Sequence, residues 1–167
     1  HLDALQMHKI KLGLEAMQSF LAKVGRPEQN LRFVHVAGTN GKGSSARCLE
    51  QLLLAQGYSV GVYTSPHLLK FNERLRLNGV DASDELWVAG LCQVDQLRAE
   101  VSLTYFEFTT LAAFAMLKQQ QPDVCIIEVG LGGRLDATNI IEPDACIITT
   151  IDLDHQDWLG NDRESIG

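Results

Sequence analysis

The amino-acid sequence predicts an α/β domain in which a doubly wound, mostly parallel sheet carries a phosphate-binding loop. Short apolar runs at 31–36, 59–63, 124–129 and 145–151 are separated by longer segments with helical periodicity. The last two runs show no alternation of polar and apolar residues, which is typical of parallel strands that helices cover on both faces. A glycine-rich turn follows the first run and precedes a helical segment. The order strand, glycine-rich turn, helix is the one that builds a cradle for phosphate groups.

The first half of the chain supplies two predicted helices around the first strand. Residues 2–24 place apolar side chains at helical spacing, with a break near Gly13. The turn at 25–27 ends this segment. After the glycine-rich turn, residues 46–56 form an amphipathic helix, and Gly57 is a suitable residue to end it.

The segment after the second strand has a different pattern. Residues 71–77 alternate charged and apolar side chains, as an exposed strand does, and 78–79 is an Asn-Gly turn. Arg74 and Arg76 would share one face of that strand. A solvated face is expected there, because charged strand faces are usually exposed.

Two further helices precede the last two strands. Ser83 is a good N-cap for a helix that continues to about Glu100. Residues 104–121 form the next predicted helix, which Pro122 ends. Its predicted inward-facing residues are Phe106, Thr110, Ala113, Phe114 and Leu117.

Composition limits the function classes. The 167 residues are 46% hydrophobic and 21% charged, as in an ordinary single globular domain. Fourteen basic and twenty-one acidic side chains give a net charge of −7, which disfavours a nucleic-acid partner. No apolar run approaches the roughly 18 residues of a membrane span, and no signal peptide is recognisable. We expect a cytoplasmic, monomeric protein with no membrane partner.

The four cysteines are far apart and form no C-x-x-C pair, so reduced structural thiols are expected rather than a metal or redox site. Cys125 and Cys146 lie in the apolar strand runs and are predicted core residues. His35, within the first strand, is likewise predicted to be a packed core side chain. Because the first residue is not Met and a new helix begins close to residue 167, we expect a part of a longer protein.

The glycine-rich turn lies within the stretch 36–45, Val-Ala-Gly-Thr-Asn-Gly-Lys-Gly-Ser-Ser. Its glycines allow the backbone to approach a polyphosphate, and Lys42 can reach the outer phosphates. A hydroxyl from Ser44 or Ser45 can face the nucleotide or its metal ion. The strict phosphate-loop pattern is not met, because Val36 replaces the first glycine and Gly43 separates the lysine from the hydroxyl. A purely structural turn is the alternative.

Glu128 ends an otherwise apolar strand, where an ionised carboxylate without a partner is costly. An acid at the carboxyl end of a strand beside a phosphate loop is well placed to hold Mg²⁺ against the nucleotide phosphates. The alternative is a carboxylate that caps the following turn, 130–133.

Three other positions remain open from the residues alone. His155 follows the last strand and could contact a metal or phosphate, or simply begin a helix. Ser65, at the end of the second strand, is either a turn hydroxyl or a ligand of the same metal ion. Arg134 and Asp136 could bind substrate or form a salt bridge with each other.

Five motifs together resemble the folylpolyglutamate synthases of the Mur ligase superfamily, and most closely their bacterial bifunctional dihydrofolate synthase/folylpolyglutamate synthase members. They extend over essentially the whole chain. The motifs are 38–44 (GTNGKGS), 63–68 (YTSPHL), 104–107 (TYFE), 128–139 (EVGLGGRLDATN) and 154–155 (DH).

This resemblance implies a Mur-ligase-like central ATPase domain and an ATP-dependent amide ligase. ATP would phosphorylate the carboxylate of dihydropteroate, or the γ-carboxylate of a reduced folate, and the amine of L-glutamate would attack the acyl phosphate. Mg²⁺, as two ions with ATP, is the implied cofactor. A Mur ligase acting on a UDP-sugar peptide and a non-catalytic nucleotide-binding module are the alternatives.

The resemblance also implies site residues. Lys42, Glu128 and His155 would be catalytic, and the magnesium ligands would be Ser65, Glu128 and His155. The ATP-binding residues would be Thr39, Asn40, Gly41, Lys42, Gly43 and Ser44. The substrate contacts would be Thr104, Tyr105, Phe106, Glu107, Leu135, Asp136 and Ala137.

The chain departs from the family pattern near its start. Where the family has Ile-Asp-Leu-Gly-Leu-x-Arg, this sequence has Lys11 in place of the acid and Ala16 in place of the arginine. This affects the pteroate contacts expected of residues 9–12 and leaves the ATP site untouched. The family's carbamylated lysine and C-terminal domain lie outside these 167 residues, so the domain is expected to be incomplete and the fragment alone inactive.

Overall fold

A computed structural model describes residues 14–24, 26 and 30–167. Within these residues the chain forms a six-stranded sheet with the strand order β4-β3-β2-β5-β1-β6. The strands are β1 Phe33–Ala37, β2 Val60–Tyr63, β3 Leu75–Leu77, β4 Val80–Asp81, β5 Val124–Glu128 and β6 Ala145–Ile148. β1, β2, β5 and β6 are parallel, whereas β3 and β4 form an antiparallel hairpin beside β2. The predicted mostly parallel α/β sheet is confirmed.

Helices cover both faces of this sheet. They are α1 Glu15–Val24, α2 Lys42–Ala55, α3 Asp84–Arg98, α4 Tyr105–Gln120, α5 Gln156–Leu159 and α6 Arg163–Ile166. Because side chains alternate along β5, Cys125 and Ile127 pack with α1, α3 and α4, while Val124 and Ile126 pack with α2. This two-sided arrangement is the predicted doubly wound architecture.

α4 is buried around almost its whole circumference, because it lies between α3 and the sheet. Four of the residues predicted to face inward are buried, and the fifth, Phe106, is half-buried. The helix begins with a capping box, in which Thr104 and Glu107 accept each other's backbone N–H groups. The predicted N-cap of α3, Ser83, also accepts a backbone N–H, from Leu86.

The predicted exposed strand at 71–77 is partly wrong. Phe71–Arg74 is a short 3-10 helix, and only Leu75–Leu77 is strand. The reason lies in Glu73, whose carboxylate accepts the N–H groups of residues 68–70 and closes a tight loop. Arg74 is consequently buried rather than solvated, and Arg76 forms an ion pair with the buried Glu50.

β6 also differs from its prediction. It lies at the edge of the sheet beside β1, and Ala145, Cys146 and Ile148 are exposed. An edge strand has a neighbouring strand on one side only. An apolar sequence therefore does not guarantee that the side chains of β6 are buried in the part of the chain that the structure describes. Within the residues that the structure describes Cys146 is exposed, whereas Cys125 and His35 are buried as predicted.

Two predictions concern the N-terminal segment. α1 confirms the second half of the predicted helix at 2–24, and Ala16 lies on it, partly buried against the core. Gly13 and the family departure at Lys11 lie outside the described residues. The helices in the described part of the chain are too short or too polar to cross a membrane.

Candidate functional site

The phosphate loop is the connection from β1 to α2. α2 begins at Lys42 rather than at the predicted residue 46, so Gly43 and Ser44 belong to its first turn. Gly41, the residue before the helix, has φ +82°, and Gly38 has φ +129°. A side chain at Gly38 would also collide with Thr149 Oγ1. The loop therefore requires glycine at both positions, and its exposed helix N-terminus suits an anion.

Lys42 lies folded across its own loop. Its Nζ donates hydrogen bonds to the carbonyl oxygens of Gly38 at 2.7 Å and Thr39 at 3.3 Å. These are carbonyl acceptors on the loop that a phosphate group would approach. An anionic phosphate is a stronger acceptor for an ammonium group than a carbonyl is, so Lys42 is placed to exchange one for the other.

The side chains of Thr39 and Asn40 hold the loop together. Thr39 Oγ1 donates to Asp152 O at 3.1 Å and accepts from Asp152 N at 2.9 Å. Asn40 Oδ1 accepts the N–H of Gly41 at 2.8 Å. In this arrangement the two side chains shape the loop, and Asn40 Oδ1 occupies the N–H of Gly41, which a phosphate would have to take over.

Glu128 points at this loop from the end of β5. Its Oε2 accepts the N–H of Ser65 at 3.0 Å, and its Oε1 lies 3.6 Å from the position that a side chain at Gly43 would occupy. Burial raises the pKa of Glu128, which is 7% exposed, while the amides of Ser65 and Gly43 and the ammonium of Lys42 act in the opposite direction. Such a carboxylate is short of positive charge, which suits a site for a cation.

The alternative role for Glu128, capping the turn at 130–133, belongs to another residue. Asp136 accepts the N–H of Leu131 at 2.8 Å, and the N–H and hydroxyl of Thr138 at 2.9 and 2.6 Å. Burial raises the pKa of Asp136 despite these hydrogen bonds. Among the described residues it forms no ion pair with Arg134, which is exposed.

The topology of the sheet brings Ser65 to Glu128. β2 and β5 are parallel neighbours, with Tyr63 opposite Ile127, so the residues that follow them meet at one edge. His155 is the residue before α5, has the left-handed backbone conformation and is about half exposed. It lines a cavity of about 40 Å³ together with Lys42 and Gly130. Ser65 and Glu128 thus meet at the carboxyl ends of β2 and β5, and His155 lies beside Lys42, seven residues after β6 ends.

The three predicted metal ligands are too few to bind a cation unless a nucleotide supplies further oxygen ligands. In the part of the chain that the structure describes, no three His, Cys, Asp or Glu side chains come together as a metal site. Ser65, Glu128 and His155 offer one carboxylate, one hydroxyl and one imidazole. Since Mg²⁺ prefers six oxygen ligands, phosphate and water oxygens would have to complete its coordination.

The predicted substrate motif at 104–107 has a structural role in α4. Glu107 is buried, and its Oε2 accepts the N–H of Thr104 at 2.7 Å. The guanidinium carbon of Arg74 lies 5.4 Å from the centre of the Tyr105 ring. The rings of Phe106 and Tyr63 are stacked, with their centres 6.4 Å apart. Of the other predicted contacts, Leu135 is exposed and Ala137 is buried. Their roles toward a substrate stay predictions.

Sequence reasoning missed the residues that follow β6. Thr149 Oγ1 donates to Asn40 O at 2.7 Å and to Ala37 O at 3.1 Å, and Thr150 O accepts the N–H of Thr39 at 2.6 Å. The pair of threonines at the carboxyl end of a strand was a usable signal, because those ends gather around the ligand in an open α/β sheet.

Comparison with known proteins identifies the family of this chain. Residues 36–166 match the Mur ligase middle domain. The dihydrofolate synthase/folylpolyglutamate synthase of Escherichia coli is 49% identical over 167 residues, which are 100% of this chain and 40% of that protein. That of Haemophilus influenzae is 48% identical over 99% of this chain and 38% of that protein.

Solved structures give the same result. E. coli FolC in complex with DHPP and ADP superimposes with a TM-score of 0.93 at 49% identity, over 99% of this chain and 40% of that one. A bifunctional folylpolyglutamate synthase/dihydrofolate synthase with Mn, AMPPNP and L-glutamate bound superimposes with a TM-score of 0.89 at 48% identity, over 99% and 41%. The chain thus spans about 40% of the length of these relatives.

Proposed function

This chain belongs to the Mur ligase family, whose middle domain it matches, and we propose that it is the N-terminal part of the ATP-binding domain of a dihydrofolate synthase/folylpolyglutamate synthase. The observation that carries the proposal is the convergence of Glu128, Ser65 and Lys42 on one glycine-rich loop. The ligands bound to the two solved relatives, which are adenine nucleotides, Mn, L-glutamate and DHPP, support it. We propose a cytoplasmic monomer.

The proposed reaction joins L-glutamate to a carboxylate. A carboxylate oxygen of dihydropteroate, or of the γ-carboxylate of a reduced folate, attacks the γ-phosphorus of ATP, and ADP leaves. The amine of L-glutamate then attacks the carbonyl carbon of the acyl phosphate, an amide bond forms, and inorganic phosphate leaves. Activation is needed because a carboxylate is a poor electrophile until one oxygen becomes a good leaving group.

The residues of this chain would act by positioning and by neutralising charge. Backbone amides of the loop and of the first turn of α2 would hold the β- and γ-phosphates. The ammonium of Lys42 would leave Gly38 O and Thr39 O for the phosphates and offset the charge that develops between the attacking and leaving oxygens.

Ser65, Glu128 and His155 would hold the divalent ion. When bound, Mg²⁺ supplies Lewis-acid polarisation of the phosphate oxygens. Glu128 suits this role because its carboxylate is buried, faces the loop and has amide partners that fix its orientation. Two ions, as the resemblance implies, would need ligands beyond these three.

Phosphate release from ATP by the complete protein tests the proposal. We expect release only when L-glutamate is present with dihydropteroate or a reduced folate, and we expect Lys42→Ala to abolish both release and Mg-ATP binding. Release driven by a UDP-sugar peptide would identify a cell-wall ligase instead. Mg-ATP binding without release under any of these conditions would indicate a non-catalytic nucleotide-binding module.

A further inference from the structure

Thr149 and Thr150, the residues that follow β6, form hydrogen bonds with the backbone of the phosphate loop. The hydroxyl of Thr149 shares its proton between Asn40 O at 2.7 Å and Ala37 O at 3.1 Å, and the hydroxyl of Thr150 lies 3.3 Å from Asn40 O. Two side chains therefore converge on the carbonyl oxygen of Asn40, in the middle of the loop.

Backbone contacts bring the same two segments together. Thr149 N donates to Ala37 O at 3.0 Å, and Thr39 N donates to Thr150 O at 2.6 Å. At Gly38 the approach is so close that a side chain there would meet Thr149 Oγ1. The backbone of the loop is thus in direct contact with Thr149, and this contact is possible because residue 38 is glycine.

Tethering a carbonyl also directs an amide. In a trans peptide the C=O and N–H groups point in opposite directions, so fixing Asn40 O fixes the orientation of the amide of Gly41. With the oxygens of Ala37 and Asn40 held toward Thr149, the N–H of Gly41 is directed to the opposite side of the loop. There it donates to Asn40 Oδ1 at 2.8 Å, and an anion would bind by replacing that side-chain oxygen. Lys42 and Gly130 line the cavity that adjoins this loop.

We infer that Thr149, assisted by Thr150, is a positioning residue that holds the phosphate loop in its anion-binding shape. This inference rests on the proposed function, because it requires that the loop bind the phosphates of ATP. Thr149 would act through the backbone of residues 37–40 and touch neither the nucleotide nor its metal ion.

The test is the dissociation constant for Mg-ATP in the complete protein, measured by calorimetry. Thr149→Val keeps the shape of the side chain and removes the hydroxyl, and we expect binding about tenfold weaker, as the loss of such hydrogen bonds warrants. Thr149→Ser restores the hydroxyl and should bring affinity back to within about twofold of the unaltered protein. Cys146→Ala, at the other end of the same strand and without a hydrogen bond to the loop among the described residues, is the control and should leave the affinity for Mg-ATP unchanged.

Thermal unfolding without nucleotide separates positioning from a merely structural role. If Thr149→Val lowers the unfolding temperature but binds Mg-ATP like the unaltered protein, the inference is wrong. If Thr149→Val does not fold, Thr150→Val replaces it, with an expected loss of about threefold, and unchanged affinity would overturn the inference. Failure of the unaltered protein to bind Mg-ATP would overturn the proposed function as well.

Discussion

Glu128 is the residue on which the proposed metal site depends most. Its carboxylate is 7% exposed and faces the amides of Ser65 and Gly43 and the ammonium of Lys42. Burial raises its pKa, because removal from water disfavours the charged form more than these partners favour it. A divalent ion would favour the charged form.

We expect Glu128→Gln to weaken Mg-ATP binding by about tenfold or more, because the amide keeps an acceptor for Ser65 N but loses the negative charge that a cation needs. The affinity for ATP should also become insensitive to added Mg²⁺. Calorimetry with and without Mg²⁺ measures both effects. Asp157→Asn, which removes an exposed carboxylate on α5, should leave both unchanged, and full magnesium dependence in the Gln variant would contradict the assignment.

His35 makes stability depend on pH. Burial lowers its pKa from 6.5 to about 4, and its Nε2 has no hydrogen-bond partner. Between pH 6.5 and 4 the unfolded chain therefore binds a proton that the folded chain does not, so stability is full above pH 6.5 and falls as the pH drops toward 4. The largest loss that this shift allows is about 3 kcal/mol.

Replacing His35 with Leu should flatten the stability profile between pH 4 and 6.5, measured by urea unfolding at a series of pH values. The difference between the two profiles isolates His35, because Glu128 and Asp136, whose pKa values burial raises, contribute to both. His155→Gln, at a half-exposed histidine, is the control. An unchanged slope in the Leu variant would show that His35 is not the titrating group.

Single residues of the site were predictable to different extents. The placement of Lys42 and Glu128 at the loop was predictable, since a lysine in a glycine-rich turn suggests phosphate and an acid at a strand end suggests a metal ion. Asp136 was ambiguous, because its role as the acceptor for Leu131 and Thr138 depends on a turn geometry that sequence does not specify. Thr149 was missed, since its contact with Asn40 spans 109 positions.

At the scale of elements, α4 shows how one motif can have two explanations. The Thr104–Glu107 pair resembles a substrate-binding motif of the family, but it also forms the capping box of α4. A capping box needs a hydroxyl and a carboxylate three positions apart, and the same two groups could contact a substrate, so the sequence alone does not separate the two roles.

Thr104→Ala separates them by measurement. A capping role predicts a loss of about 1 kcal/mol in the free energy of unfolding, because the N–H of Glu107 loses its acceptor. Thr104→Ser should retain nearly all of the stability. Urea unfolding measures this loss, and the KM for the pterin substrate measures the other role. A raised KM with unchanged stability would favour substrate contact over capping.

Element predictions succeeded where one local pattern dominates. The apolar runs gave β1, β2 and β5 within two residues, and Ser83 and Pro122 bracket α3 and α4. They failed at 71–77, where the carboxylate of Glu73 accepts three backbone N–H groups. These hydrogen bonds stabilise a loop and a 3-10 helix in place of the predicted strand. The predictions also failed at β6, because burial of a strand depends on its neighbours rather than on its own sequence.

At the scale of the whole molecule, a buried ion pair joins α2, the helix that follows the phosphate loop, to the β3–β4 hairpin at one edge of the sheet. Glu50 of α2 is fully buried, and Arg76 of β3 donates to it at 2.7 Å through Nη2 and 3.3 Å through Nε. Arg47, one turn earlier on α2, also contacts Glu50. These guanidinium groups lower the pKa of Glu50 against the opposing effect of burial.

Removing Arg76 would leave the buried carboxylate of Glu50 with only Arg47, whose side chain is half exposed, as its partner. We expect Arg76→Ala to lower the free energy of unfolding by about 3 kcal/mol, measured by urea denaturation, with β3 and β4 detaching first. The matched control is Arg163→Ala, which breaks the ion pair with Asp152 on the surface, where both side chains are more than half exposed. Exposed pairs contribute little, so that change should be silent. Equal losses in the two variants would mean that Arg47 alone compensates Glu50, and that the hairpin is held to α2 by apolar packing.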